Sequence, residues 1–370
     1  MSMDAVTLQL PRHRVIGGLV ARSFAVQWIL FLVPVLFLLT NTALLWNAGT
    51  YAKQDAMTLL SSVMTITLPV GIAIVALFRL VQLMVVIRPP SLFAAMGADM
   101  RMLVARPQRL IAVAPVIAAV MVFNKALLEM KIAIPLVQPF TWDKAFVSLD
   151  RALHFGVDPW RLIQPFMGFP WLTYAVNVTY IMWFLALFGA WFWFGFQARL
   201  TEERTRFFLA YMMTWWIGGG LLSVAFSSAG PVYLDRLGVN PNPYTGLFAY
   251  LDQVHAQLNL GSANIQQALW DGYVGKIPAM GISAFPSMHN ATAALFVMAF
   301  WKTSRAAGIA FIVYGIIILL GSIHLGWHYA VDGYGGVLIA LLCWWLAGPI
   351  ARWYCNLPST RRFNEDMASL

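Results

Sequence analysis

The chain has 370 residues, of which 60% are hydrophobic and only 11% charged, and its mean hydropathy is +0.71. Soluble domains carry roughly 45–50% apolar and about 25% charged residues, so the composition excludes a soluble fold and calls for a polytopic membrane protein. The net charge of +9 does not point to nucleic acid, because Lys and Arg are scattered through short loops between apolar runs, where they orient a chain in a bilayer.

About twenty apolar residues cross a bilayer, and on that scale the chain reads as about eight helices. In order they are Phe24–Trp46, Leu59–Ile87, Leu110–Leu128, Trp171–Phe196, Phe207–Ser227, Pro286–Trp301, Ala306–Leu325 and Tyr329–Tyr354. The expected fold class is an all-α integral membrane protein. The first run starts too late and is too long for a cleavable signal peptide. The sixth is short and is expected to begin in a re-entrant turn. Cys343 and Cys355 fall in or near the last run and imply no disulfide framework.

Placing the N-terminus in the cytoplasm puts 16 of the 24 Lys and Arg residues on the cytoplasmic side, the bias expected of a correctly oriented chain. The starts of the sixth and eighth segments then emerge on the outer face. Two outer loops look structured. Phe140–Phe169 mixes Trp142, Asp143, Asp150, Arg151, His154, Asp158 and Trp160 with apolar residues, which suits short interfacial helices. Gly230–Ala284, rich in Gly, Pro, Asn and Tyr, is expected to cap the outer face.

The chemistry concentrates where the sixth and eighth segments begin. His328 and Asp332 stand four residues apart at a helix start, so they share a face and the carboxylate can take an imidazole N–H. That pairing orients the ring and frees its other nitrogen for nucleophilic attack; it equally fits a structural pair closing a helix end. Upstream, Pro286-Ser287-Met288-His289 reads as a helix start with Ser287 at the N-cap. Backbone N–H groups there suit a phosphate, and His289 is placed for acid–base work or for a satisfied interfacial position. Ionisable groups at a membrane helix edge are costly enough that a functional reading is preferred.

These segments resemble the type 2 phosphatidic acid phosphatase superfamily, whose second motif is Pro-Ser-Gly-His and whose third is Ser-Arg, five residues, His, three residues, Asp. Pro286-Ser287-Met288-His289 matches the second motif with Met288 in place of Gly, and His328 with Asp332 matches the end of the third. The resemblance implies His328 as nucleophile, Asp332 as its partner and His289 as acid–base group, with no metal and no cofactor. It implies a six-helix core (Leu110–Tyr354 within a unit 91–370), a two-helix N-terminal addition over 1–90 and the outer cap at 230–284.

Two departures refine it. The arginine of the third motif falls on Ser322, and the place of the first motif, Lys-six residues-Arg-Pro, is taken by Ser223–Pro231 without Lys or Arg. A phosphodiester carries less charge than a phosphomonoester, so the pattern is closer to the inositol phosphorylceramide synthase-like branch. Arg236 and Lys276 in the cap are the candidates for the remaining positive charge. With Ser287, Ser322, His324 and Tyr233 they make up the expected substrate-binding set. The function this implies is transfer of a phosphorylated head group from a phospholipid donor to a lipid or polyol alcohol through a phosphohistidine, at the outer face of a bacterial inner membrane. A lipid phosphate phosphatase of the same fold is the alternative, and a transporter with a histidine proton relay is the rival from another class. Against the transporter stand the lack of an inverted repeat and the gathering of polar groups at one face.

Overall fold

The computed structural model describes residues 12–47, scattered positions between 69 and 80, and residues 82–105, 107–278 and 280–369. Every regular element among them is helical: α1 (Arg12–Val26), α2 (Ile29–Asn47), α3 (Leu92–Ala105), α4 (Gln108–Val137), α5 (Asp143–Leu153), α6 (Pro159–Met167), α7 (Pro170–Ile181) and α8 (Trp183–Gly195) come first. They are followed by α9 (Glu202–Trp216), α10 (Thr245–Leu258), α11 (Gly261–Tyr273), α12 (Met288–Trp301), α13 (Arg305–His324), α14 (Ala330–Cys355) and α15 (Pro358–Ala368). Six stretches are long and apolar enough to cross a membrane: Ile29–Trp46, Gln108–Val137, Pro170–Gly195, Glu202–Ala225, Arg305–His324 and Ala330–Cys355. The chain is an integral membrane protein.

The eight expected segments map onto these with informative differences. Most of Leu59–Ile87 lies outside the described residues. The third helix does not stop near Leu128 but runs on to Val137, which carries Lys131 to the end of the bundle that holds His289 and His328. The sixth segment is the 14-residue α12, about 21 Å of helix, against about 30 Å of hydrocarbon. Its shortness places its first turn inside the protein. α12 packs between α13 and α14, α14 also lies along α9, and α2 lies along α4.

A glycine lets the two histidine-bearing turns meet. At Gly336 of α14, a Cβ would stand 2.3 Å from the Ser287 carbonyl oxygen, so only a bare backbone allows the start of α12 to abut α14. The main chains then join directly, Ser287 N–H donating to the Asp332 carbonyl at 2.8 Å.

Two features fix the ends of the bundle. At the end away from the histidines, Arg204 of α9 is buried, donating to the Phe194 carbonyl at 3.1 Å, the Ala112 carbonyl at 2.8 Å and Gln27 Oε1 at 2.8 Å. At the histidine end, the expected interfacial helices are α5 and α6. α5 buries Asp143, Phe146, Val147 and Asp150, an i, i+3, i+4, i+7 stripe that marks one helical face. The unusual part of that face is its two carboxylates. α10, α11 and a short 3₁₀ turn at Pro231–Tyr233 form the cap.

Candidate active site

His328 lies in the turn between α13 and α14, and Ser322 shapes that turn. The Ser322 carbonyl accepts the N–H groups of both Trp327 (3.0 Å) and His328 (3.1 Å). His328 Nδ1 then meets Asp332 Oδ2 at 3.2 Å, and the same carboxylate oxygen accepts the Tyr329 N–H at 3.0 Å. Asp332 is fully buried, and its Oδ1 has no hydrogen-bond partner among the described residues. With Nδ1–H donated to the carboxylate, Nε2 is the ring atom left with a lone pair. Burial, reinforced by the positive charge of Lys131, lowers the His328 pKa to about 3 against a smaller opposing pull from a backbone hydrogen bond at Ala284. The ring is therefore neutral at ordinary pH, as a nucleophilic imidazole must be.

α5 clamps this turn from the outside. Asp150 accepts the Ala330 N–H at 2.8 Å and the Val331 N–H at 2.9 Å, capping the first turn of α14. Asp143 accepts the Ala229 N–H at 3.0 Å, the Gly230 N–H at 2.8 Å and the Tyr329 hydroxyl at 2.9 Å. Burial raises the Asp150 pKa to about 6 against the pull of those N–H groups, and raises that of Asp143 for the same reason. Hydrogen bonds to a charged acceptor contribute about 1.5–3 kcal/mol each, so these carboxylates hold residues 329–331 firmly.

His289 stands on the second residue of α12, its ring centroid 6.5 Å from that of His328. Tyr180 stacks on it at 4.6 Å and 14°, and Trp183 flanks it at 4.4 Å. These two aromatics sit on either side of Met182, where α7 gives way to α8, so the break in that span presents both rings to one histidine. Tyr180 also stacks on Trp327 at 6.3 Å.

Both histidines line one cavity of about 290 Å³, together with Lys131, Tyr180, Trp327 and Tyr233. Lys131 is the cation the sequence reading did not find. It enters no hydrogen bond or ion pair among the described residues, whereas its neighbour Lys125 pairs with Glu129. The cap lies directly on it: a Cβ at Gly281, whose φ is +80°, would fall 2.5 Å from the Lys131 carbonyl carbon and oxygen. The Tyr180 hydroxyl and the Trp327 indole N–H are buried without partners among the described residues, on side chains that line this cavity. The rest of the wall is mostly apolar, with Ile181, Phe184 and Ile265 beside Ser262 and Ser283. Phe184 and Ile265 are also exposed on the outside of the protein, at 51% and 43%.

The remaining expected site residues are dispersed. Ser287 occupies the N-cap position, but its hydroxyl accepts the Asn290 side chain at 2.9 Å instead of capping the helix. The Ser322 hydroxyl donates to the Leu319 carbonyl at 2.7 Å and is buried behind the turn. His324 Nε2 bonds Thr173 Oγ1 at 2.8 Å, away from the cavity. Arg236 bonds Gln267 at 2.7 Å and lies 5.2 Å over the Trp270 ring, lining a separate cavity in the cap. Lys276 is exposed and pairs with Asp271 at 3.1 Å. Tyr233 lines the histidine cavity, though its hydroxyl donates to the Gln266 carbonyl at 2.8 Å.

A helical membrane bundle with two histidines, a buried carboxylate and a lysine around one cavity has the parts of an enzyme for phosphate chemistry on lipids. The PAP2 superfamily profile matches residues 144–346, more than half of the chain and all of the histidine-bearing turns. The chain belongs to the PAP2 superfamily. Members of that superfamily are phosphatases and phosphotransferases, which supports an enzyme with a phosphatase-type, lipid-related activity. No curated protein and no solved structure matches the chain.

Proposed function

We propose that the protein is a lipid phosphotransferase that moves a phosphorylated head group from a phospholipid to an acceptor alcohol. His328 Nε2 attacks the phosphorus of the donor diester, the P–O bond to the diacylglycerol breaks, and His289 in its protonated form gives its proton to the departing oxygen. The acceptor hydroxyl then gives its proton to His289 as its oxygen attacks the phosphohistidine, which restores His328. Asp332 holds the ring by Nδ1 and stabilises its positive charge while the phosphoryl group is attached. Lys131, the Tyr180 hydroxyl and the Trp327 N–H are the groups available to the non-bridging phosphoryl oxygens. No cofactor enters this route.

The observation that carries the reading is the charge of the cavity: Lys131 is the single Lys or Arg lining it among the described residues. A monoester phosphate approaching two negative charges calls for more cations at the transition state, whereas a diester with one is matched by a single lysine. The same reading places the cavity at the outer face of a bacterial inner membrane, from the Lys and Arg distribution, and treats residues 1–90 as an addition to the core. Superfamily membership favours a second reading, hydrolysis of a lipid phosphate monoester at the same histidines.

Purified protein incubated with diester phospholipids should release diacylglycerol, faster with an acceptor alcohol, and should carry an acid-labile phosphoryl label on His328. Faster phosphate release from phosphatidic acid or an isoprenyl monophosphate, with no gain from any acceptor, would establish the phosphatase reading. Turnover of neither class, with no labelled histidine, would remove both.

A further inference from the structure

The end of the bundle remote from the histidines carries a cavity of its own. Arg109 and Lys131 lie on the same helix, α4, about 22 positions apart, or roughly 33 Å of helical rise. That separation spans the hydrocarbon of a bilayer, so Arg109 belongs to the leaflet opposite the histidine cavity. Beside it is a cavity of about 500 Å³, lined by Arg109 and Arg199 with Gln197, Thr201 and Trp193. Neither arginine forms an ion pair among the described residues. The acids close to Arg199 in the chain, Glu202 and Glu203, face Arg352 at 3.6 Å and Lys302 at 3.7 Å instead.

Two further residues of this cavity, Phe192 and Phe196, also line a narrow groove of about 90 Å³ between α4 and α8, walled by Val113, Ile117 and Val120. Apart from Asn124 at its far end the groove is aliphatic and aromatic, and it continues from the arginines along the membrane-crossing part of both helices. Its upper end therefore suits a phosphate, which guanidinium groups bind by charge-assisted hydrogen bonds, and its length suits a hydrocarbon chain. A free phosphate would leave the apolar part empty, and an uncharged lipid would leave the arginines unmatched.

We propose that this surface binds an anionic phospholipid, its phosphate on Arg109 and Arg199 and one acyl chain between α4 and α8, in the leaflet opposite the histidine cavity. The distance from His289 and His328 makes it a bound lipid and not a substrate, whatever reaction the histidines perform. Binding can be read by native mass spectrometry of the full-length protein released from nanodiscs in which phosphatidylglycerol is titrated against phosphatidylcholine. Wild-type protein should retain phosphatidylglycerol about tenfold more tightly than phosphatidylcholine, and R109Q/R199Q should lose that preference. Ile117→Trp, at a half-exposed position that fills the groove, should weaken retention of both lipids. Inorganic phosphate at millimolar concentration should not displace the lipid. The proposal fails if R109Q/R199Q, with an unchanged melting curve, keeps the wild-type preference. It fails equally if Ile117→Trp binds both lipids normally, or if inorganic phosphate displaces them.

Discussion

The two ends of this bundle each bury charged side chains, and they do so differently. At one end the Arg204 guanidinium donates to Phe194, Ala112 and Gln27, and it lines none of the cavities described above. At the other end the Tyr180 hydroxyl and the Trp327 N–H have no partner among the described residues and belong to side chains that line a cavity with Lys131 and two histidines, and Asp332 Oδ1 is unpartnered behind His328. A buried polar group left unsatisfied costs about 1–3 kcal/mol, so natural proteins keep few of them. Where every group is matched, the charge holds helices together. Where several are unmatched and face one space, they are set for something that enters it.

Substitutions at the two ends should therefore separate activity from stability. The largest effect is expected at the histidine end, where His328→Ala should lower turnover by about 10³-fold or more, because a covalent route has no substitute nucleophile. The variant should still insert and melt as the wild type does. Near-native activity would sink the covalent mechanism.

Lys131→Met should lower kcat by about 10²-fold, the scale of one electrostatic contact to developing phosphoryl charge, with little change in melting temperature. It also changes the pH profile. Burial and Lys131 push the His328 pKa down to about 3, well below an unfolded histidine, so the acid limb of the rate profile set by this ring lies near that value. By the same linkage, the stability contributed by the ring is complete above the unfolded pKa and is lost as pH falls toward 3. Removing the lysine charge raises the His328 pKa, so the acid limb of the rate profile should move to higher pH. An unmoved limb would mean that Lys131 does not act on the ring.

At the other end the pattern should reverse. Arg204→Met takes the guanidinium from the Phe194 and Ala112 carbonyls and leaves Gln27 Oε1 buried without its donor, and should cost about 3 kcal/mol of stability, while the protein that remains folded turns over normally. Asp150→Asn is expected to fall between the two. One of its two backbone N–H partners would face an amide N–H₂, costing about 2 kcal/mol, and the loosened first turn of α14 should lower kcat by less than about tenfold. Loss of stability with unchanged kcat would make Asp150 a purely structural cap.

The sequence made the membrane class legible because hydropathy over twenty residues is a local property, and five of its eight segments coincide with membrane-length helices to within a few residues at most ends. The His328–Asp332 pair was legible for the same reason, since four residues on a helix define a face. Lys131 was not, because it stands on the far end of a helix that continues past Leu128, beside a Lys125–Glu129 pair that reads as ordinary surface charge. The cations that stand out in the loop sequence, Arg236 and Lys276, are engaged by Gln267 and Asp271. Nor could the roles of Asp143 and Asp150 be read locally. Their partners at Tyr329, Ala330 and Val331 lie some 180 residues away, and nothing in an interfacial helix announces that its buried face will cap another one.

The apolar rim of the histidine cavity bears on how a substrate arrives. Ile181, Phe184 and Ile265 cost little where they meet acyl chains and would be unfavourable against water. A lipid can then slide in from the side with its tails still solvated by the bilayer, and only its head group exchanges surroundings. Encounter becomes a search in two dimensions, governed by the mole fraction of the donor in its leaflet and not by its aqueous concentration. On the proposed transferase reading, an acceptor alcohol carried by another lipid would enter across the same rim, in the plane of the same leaflet.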